Sequence, residues 1–294
     1  MLFHKRVEPF NNPEYLYELK LDGIRCIAYL DENGTDLRTK ENKSLLFRFP
    51  EMADIHRGAK KRCILDGELF IMRDGQPDFE AIQPRIVLSK KQRIEDAARR
   101  APASYVAFDI LYAGDKMVAS LPLIDRKNLL SAIVNDTDRM ALSRFVLEHG
   151  VDLFNLTKAE GLEGVVAKRT DSLYYPGKST ANWLKIKNLT EEEFIICGYI
   201  RKSDGMTSII VAQLGQAGDL TYRGHVTFGV RGEALRQIRA LTTLDTPPLP
   251  VPPGNEKAVW VMPKLLCSVQ YLELTSGGNM RHAVLKSLHI RDYL

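Results

Sequence analysis

Apolar and polar residues alternate in short runs through the first two-thirds of the chain. YLYELKLDG, RCIAYLDENG, RCILDGELFIMRDG and YVAFDILYAG each place apolar residues at about every second position and close on a Gly-containing turn, a pattern that predicts half-buried β-strands. ENG and RDG read as hairpin turns. Between these strands the period lengthens. KKQRIEDAARR reads as a charged, solvated helix, and RKNLLSAIV and SRFVLEHGVDLFNLTKAE carry apolar residues at helical spacing. GVVAKR and NWLKIK return to strand alternation. The pattern over residues 1–188 predicts an α+β domain of antiparallel sheets with helices.

NLTEEE, residues 188–193, breaks the alternation and suits a polar linker and hinge. After it come five strand-like runs (FIICGYI, TSIIVAQLG, DLTYRGHVTFG, AVWVMP, LLCSVQYLEL) and one helix-like run, GEALRQIRAL. TPPLPVPPG, before AVWVMP, fits only an extended loop. Residues 189–294 therefore predict an all-β Greek-key barrel of the OB type. No internal repeat is visible.

Composition narrows the class without choosing a partner. A chain of 294 residues with 45% hydrophobic and 27% charged residues suits a soluble protein of two domains. The net charge of +4 neither demands nor excludes a polyanion, so the placement of charge must decide. No apolar run approaches the roughly 18 residues of a membrane span. MLFHKRVEPFNNPEY has no apolar core of a signal peptide. Cys26, Cys63, Cys197 and Cys267 form no C-x-x-C pair, which disfavours a zinc site and suits reduced core thiols in a cytoplasmic protein.

Candidate chemistry gathers in four runs. In ELKLDGIR, strand alternation would put Glu18, Lys20 and Asp22 on one face and turn Leu19 and Leu21 into the core. A lysine between two carboxylates suits a surface charge ladder and a reactive amine equally, and Arg25 does not separate the two. WLKIK puts Trp183, Lys185 and Lys187 on one face, where two like charges repel unless an anion lies between them. A solvated face is one reading; a triphosphate clamped by cations is the other. Glu68 in LDGEL faces away from Leu65, Gly67 and Leu69, and Glu163 of EGVVAKR has Val165 and Ala167 behind it. Each alone is an ordinary surface glutamate. Beside a nucleotide they would serve Mg²⁺ or a ribose, because Mg²⁺ takes one or two carboxylates plus phosphate oxygens.

ELKLDGIR, LDGEL, AFDIL, EGVVAKR and WLKIK occur in the order of the motifs of the covalent nucleotidyltransferases, the superfamily of DNA ligases, RNA ligases and capping guanylyltransferases. Within it the chain resembles the ATP-dependent DNA ligases of bacteria, including the ligase module of end-joining enzymes. DFEAIQPR, LPLIDRKNLL, YYPGKSTANWLKIK, FIICGYI and LELTSGGNMRH are similar to segments of that group. The resemblance implies a nucleotidyltransferase (adenylation) domain followed by an OB-fold domain. It implies Lys20 as the nucleophile that takes AMP from ATP, Glu18 at the adenine edge and Phe108 stacked on the adenine. It also implies Arg25 at phosphate or ribose, Glu68 at ribose or metal, Glu163 at the metal, and Lys185 and Lys187 at the α-phosphate. The cofactors implied are ATP and Mg²⁺, with Mn²⁺ as a second candidate ion. The implied partner is nicked or broken duplex DNA, with a DNA-end-binding protein as a further candidate, and the implied state is a monomeric two-domain core.

Departures from the family pattern carry expectations of their own. TKENKS puts Lys40 where the family has an arginine, which keeps the charge but loses the bidentate fork. In RHAVLKSLHIRD, Arg281 and His282 match the family's last motif, but His289 and Asp292 stand where cations orient pyrophosphate. Lys286 or Arg291 would have to compensate, or self-adenylylation would be slow. An RNA ligase and a non-catalytic nucleic-acid-binding relative are the alternatives at this stage. The T-x-x-G turn before Arg281 and His282 favours the DNA branch over the first, and the altered last motif keeps the second open. A lysine at its ordinary pKa of about 10.4 is a poor nucleophile at neutral pH. The chemistry therefore needs burial or nearby cations at Lys20, for which Lys185, Lys187 and Arg25 are candidates.

Overall fold

The computed structural model describes residues 1–3, 5–215 and 218–290, and the chain divides into two units, Met1–Asn188 and Leu189–Leu294. The first unit contains β1 (Asn12–Leu19), β2 (Ile24–Asp31), β3 (Gly34–Thr39), β4 (Cys63–Arg73), β5 (Ala103–Ala113), β6 (Phe145–Glu148), β7 (Gly164–Arg169) and β8 (Trp183–Lys187), and all but β3 and β6 come from the alternating runs. Helices α1 (Lys91–Arg100), α2 (Leu123–Ile133) and α3 (Gly150–Ala159) lie between them. The strands build two sheets. The smaller has the order β6-β1-β7-β8 and is antiparallel throughout; the larger is built on β3-β2-β4-β5.

Alternation decides which face of each sheet is dry. Cys26, Ala28 and Leu30 of β2, Leu65 and Leu69 of β4, and Tyr105 and Ala107 of β5 enter the main core with Phe49, Met52 and Ile55 from the short 3-10 turns. The smaller sheet covers its outer face with Leu153 and Phe154 of α3, packed on Tyr17, Val165, Ala167, Leu184 and Ile186. The faces left over, Glu68 and Phe108 on one sheet and Glu18, Lys168 and Trp183 on the other, line a shared pocket.

SRFVLEHGVDLFNLTKAE is not one helix. Phe145–Glu148 is a strand that adds to the edge of β1, with Phe145 opposite Glu18, and it ends at Glu148 in the left-handed region (φ 67°) before α3 begins. Backbone pairing offered by the free edge of β1 outweighs local helical spacing over these four residues.

The second unit runs β9 (Thr190–Arg201), β10 (Thr207–Leu214), β11 (Leu220–Val226), α4 (Gly232–Arg239), β12 (Val259–Val261), β13 (Leu265–Tyr271) and β14 (Val284–Ile290). The sheet order is β11-β10-β9-β12, and β13 pairs with both β9 and β14, the OB-type arrangement expected. A bulge in β9 between Ile196 and Gly198 divides its pairing: residues 190–195 pair with β13, and Gly198 and Tyr199 pair with β12. Two expectations change here. Only Asn188 and Leu189 of NLTEEE lie between strands, because Thr190–Glu193 ladder against Ser268–Tyr271. VLKSLHI adds a strand that sequence alternation did not single out. TPPLPVPPG lies in the extended loop between Leu244 and Val259.

Candidate active site

Lys20 stands one residue beyond β1, and its backbone N–H donates to the Gly164 carbonyl at 2.9 Å. Gly164 has φ 134°, and a Cβ there would lie 2.1 Å from the Ile186 carbonyl oxygen, so only glycine lets β7 start this tightly against β8. That close start presents Glu163 to Lys20. Lys20 Nζ donates to Glu163 Oε2 at 2.6 Å and Lys187 Nζ to Oε1 at 2.8 Å. The Lys20 and Glu163 side chains are 16% and 6% exposed, so solvent screens this pair far less than a surface bridge. A Cβ on Gly23 would come 2.4 Å from the Leu69 carbonyl oxygen, so the KLDG turn lies hard against β4 and brings Glu68 to the same pocket.

Leu184 and Ile186 face the core beneath α3, which leaves Trp183, Lys185 and Lys187 on the pocket side. Burial holds the Lys185 ammonium below its ordinary pKa, and the neighbouring Lys187 and Lys20 lower it further. Three ammonium groups therefore crowd one patch, and Glu163 is shared by two of them. Such a patch has room for phosphate charge. Burial also pushes the Glu68 carboxyl up to about 8, with Asp66 and Glu163 adding to the rise and Lys20 and Arg25 opposing it. No group of three or more His, Cys, Asp or Glu side chains is arranged to hold a metal among the described residues. Two carboxylates completed by phosphate oxygens is the donor set that suits Mg²⁺.

The other end of the pocket is built around Glu18 and Phe108. Glu18 is 2% exposed. Burial would raise its carboxyl, but Lys127 and Lys168 donate to it and together hold it below the usual range. Lys168 Nζ lies 4.4 Å from the Phe108 ring centroid and 4.2 Å from that of Trp183. Burial brings the Lys168 ammonium down to about 8, with Lys127 adding to the fall and Glu18 opposing it. Phe108 and Trp183 meet edge to face at 6.0 Å.

Not every expected residue converges. Glu18, Lys20, Glu68 and Phe108 line the pocket; Glu163 joins it by its bond to Lys20, and Lys187 by its bond to Glu163. Leu19 is 40% exposed and lines the pocket, so it does not turn into the core as alternation predicted. The strand ends there, and strand periodicity ends with it. Arg25 is not among the lining residues: it grips buried Asp66, Nε to Oδ1 at 3.0 Å and Nη2 to Oδ2 at 2.6 Å, while lying over Phe108 and Trp183. Tyr174 donates to the same Asp66 Oδ2 at 2.7 Å. Lys40 is exposed beside Glu41 and lines a second cavity, together with Arg25 and Tyr174. Arg281 belongs to the second unit and pairs with Glu273 at 2.7 Å. His289 lies on β14, 2.9 Å from the Ser287 hydroxyl. Arg291 and Asp292 lie outside the described residues. Sequence reasoning missed Asp66, Lys127, Lys168 and Tyr174. Lys168 was within reach, since it shares the face of Val166 at the end of EGVVAKR; Lys127, on a helix, carries no local signal.

Residues 2–187 match the family model described as the ATP dependent DNA ligase domain, and residues 202–292 match the ATP dependent DNA ligase C terminal region. The SPbeta prophage-derived DNA ligase-like protein LigB of Bacillus subtilis (strain 168) is 30% identical over 282 residues, 96% of this chain and 95% of that protein. The multifunctional non-homologous end joining protein LigD of Pseudomonas aeruginosa is 31% identical over 290 residues, 94% of this chain but 33% of its own length. Two solved structures share the fold. The ligase domain of M. tuberculosis LigD has a TM-score of 0.56 at 23% identity, covering 98% of this chain and 95% of that one. A Lig E DNA ligase has a TM-score of 0.63 at 21% identity, covering 98% and 100%.

Proposed function

The chain belongs to the ATP-dependent DNA ligase family, and on that premise we propose that Lys20 is its nucleophile and the pocket between the two sheets its adenylation site. The supporting observation is the Lys20–Glu163–Lys187 ion triad, with Lys185 beside it, in a pocket whose other end offers Phe108 and Glu18. Lys20 Nζ gives up a proton and forms a bond to the α-phosphorus of ATP, and the bond to the β-phosphate breaks as pyrophosphate leaves. AMP then passes from Lys20 to the 5′-phosphate at a DNA break. The neighbouring 3′-hydroxyl forms the phosphodiester and AMP is released.

Each residue has a part that its surroundings suit. Lys185 and Lys187 hold the α-phosphate oxygens as charge spreads over them in the transition state. Phe108 stacks on the adenine, and the Glu18 carboxylate accepts from its exocyclic amine. Arg25, held by Asp66, meets phosphate or ribose at the wall beside Phe108. Glu68 and Glu163 would hold Mg²⁺ or Mn²⁺, which when bound neutralises phosphate charge and orients the leaving group. Arg281 serves the pyrophosphate, and Lys40 the bound nucleotide. The substrate is nicked or broken duplex DNA, with a DNA-end-binding protein as helper in an end-joining role. The protein works as a cytoplasmic monomer; no helix among the described residues is long and apolar enough to cross a membrane.

Incubation with ATP labelled at the α-phosphate and Mg²⁺, followed by a denaturing gel, tests the assignment. The parent takes up covalent label, and Lys20→Ala takes up none and seals no nicked duplex. Label on the Lys20→Ala protein would remove Lys20 as the nucleophile. Parallel assays on nicked DNA, nicked RNA and hybrid duplexes set the substrate class.

A further inference from the structure

Helix α2 holds both walls of the base end of the pocket, Phe108 on one sheet and Glu18 on the other, through two consecutive cations. Arg126 is fully buried and donates from Nε and Nη2 to the Asp109 carboxylate at 2.7 and 2.9 Å and from Nη1 to the Ser172 carbonyl at 2.9 Å. Asp109 follows Phe108 in β5, so this clamp fixes the strand that presents the aromatic ring. The next residue, Lys127, reaches the opposite sheet. Its ammonium donates to Glu18 Oε1, while Lys168 donates to Oε2 at 2.5 Å. All three side chains are at most 3% exposed. The Lys127 ammonium also lies 5.6 Å from the ring centroid of Phe145, the residue opposite Glu18 in the β6–β1 ladder.

One carboxylate thus faces two buried ammonium groups. Lys168 alone would balance its charge, and a second buried cation is costly unless something requires it. Lys127 does not line the pocket; Glu18 does. With both oxygens bonded, the Glu18 carboxylate is fixed in orientation and remains an acceptor only.

We propose that Lys127 is a positioning residue for base selection, locking Glu18 as an acceptor that admits a purine with a 6-amino group and rejects one with a 6-oxo group. The proposal rests on the assignment of Glu18 to the base edge. The exocyclic amine of adenine satisfies a carboxylate. A 6-oxo purine sets its carbonyl oxygen against a carboxylate locked as an acceptor, so that oxygen finds no donor there and the two acceptors repel, a penalty larger than one lost bond. Without Lys127 the carboxylate would be tethered at one oxygen, free to turn or to take up a proton and donate to the 6-oxo group.

Single-turnover self-nucleotidylylation with ATP and with inosine triphosphate tests this, in the parent, Glu18→Gln, Lys127→Met and the double variant. Lys127→Met lowers the ATP-to-inosine-triphosphate ratio by about tenfold or more, the scale of a hydrogen bond to a charged group. The same substitution changes nothing further in the Glu18→Gln background. A ratio unmoved by Glu18→Gln would mean that Glu18 does not read the base, and the proposal would fall with that assignment. A ratio lowered by Glu18→Gln but not by Lys127→Met, or losses that multiply in the double variant, would overturn the role of Lys127 and leave that of Glu18 standing. Should Lys127→Met not fold, Lys127→Ala removes the same donor with a smaller side chain, and a parental ratio in that variant overturns the proposal equally.

Discussion

Two ammonium groups compete for one carboxylate at Glu163, with Lys20 on Oε2 and Lys187 on Oε1. A phosphate entering between them offers Lys187 a better partner and leaves Glu163 to Lys20. Lys185 faces the same space, and its ammonium is held below its ordinary pKa by burial and by its two lysine neighbours. An added anion relieves that repulsion. Lys185→Ala and Lys187→Ala are each expected to slow label transfer from ATP about a hundredfold, the loss seen on removing one preorganised charge from a reacting group. Both side chains point at the pocket and not into the core under α3, so the unfolding midpoint should stay near the parent's. Single-turnover labelling with a thermal melt decides the matter, and parental rates in both variants would dismiss the phosphate role.

Among the elements, α2 and β9 show how long-range pairing sets local behaviour. Arg126 lies in the interior with its guanidinium shared between Asp109 and two backbone carbonyls, those of Leu121 and Ser172. Arg126→Met would leave Asp109 a buried charge without its cation, a loss of about 3–5 kcal/mol. Adding Asp109→Asn should recover part of that loss, because the stranded charge goes with it. Urea unfolding of the single and double variants checks both statements; a double variant no more stable than Arg126→Met alone would contradict the second. In the other unit, β9 begins at Thr190, so its glutamates belong to a strand. Glu191 accepts from Ser268 at 2.6 Å and Glu192 from Tyr271 at 2.8 Å. Only Asn188 and Leu189 separate β8 from β9, and a hinge has to be sought there.

For the molecule as a whole, the modest net charge of +4 means that DNA must be gripped by local clusters. Arg201, Lys202 and Lys264 of the second unit are candidates, and Lys202 stands exposed with its ammonium 3.1 Å from the Thr227 hydroxyl. Binding to nicked duplex should weaken steeply between low and physiological salt as counterions are released. Removing Lys202 should reduce the slope of log affinity against log salt by about one. An unchanged slope would exclude it as a phosphate contact. For Arg281 we propose a different task, at the pyrophosphate. Pyrophosphate is present in the first step alone, so a cation serving it affects that step alone. Arg281→Ala is expected to slow reaction with ATP far more than joining of already adenylylated nicked DNA. Equal losses in the two single-turnover assays would instead make Arg281 a DNA contact or a structural residue.

The sequence by itself determined what depends on neighbours along the chain. Alternation in LDGEL, EGVVAKR and WLKIK is enough to say that Glu68 opposes Leu65 and Leu69, and that Lys185 and Lys187 share a face. Tertiary structure decided what depends on which surface covers which. Phe145–Glu148 became a strand because β1 had an open edge, and Thr190–Glu193 did so because β13 lay alongside. Arg25, read as a phosphate or ribose contact, is anchored beside Phe108 by Asp66, a buried carboxylate that its own neighbours in the sequence do not reveal. Glu18 found its partner 109 residues away on α2, at a position where nothing in the surrounding sequence distinguishes Lys127 from a surface lysine. Side-chain direction within a strand follows from local backbone geometry and is legible in one dimension. The partner of a buried charge is chosen by desolvation, which exists only once distant segments have packed and excluded water.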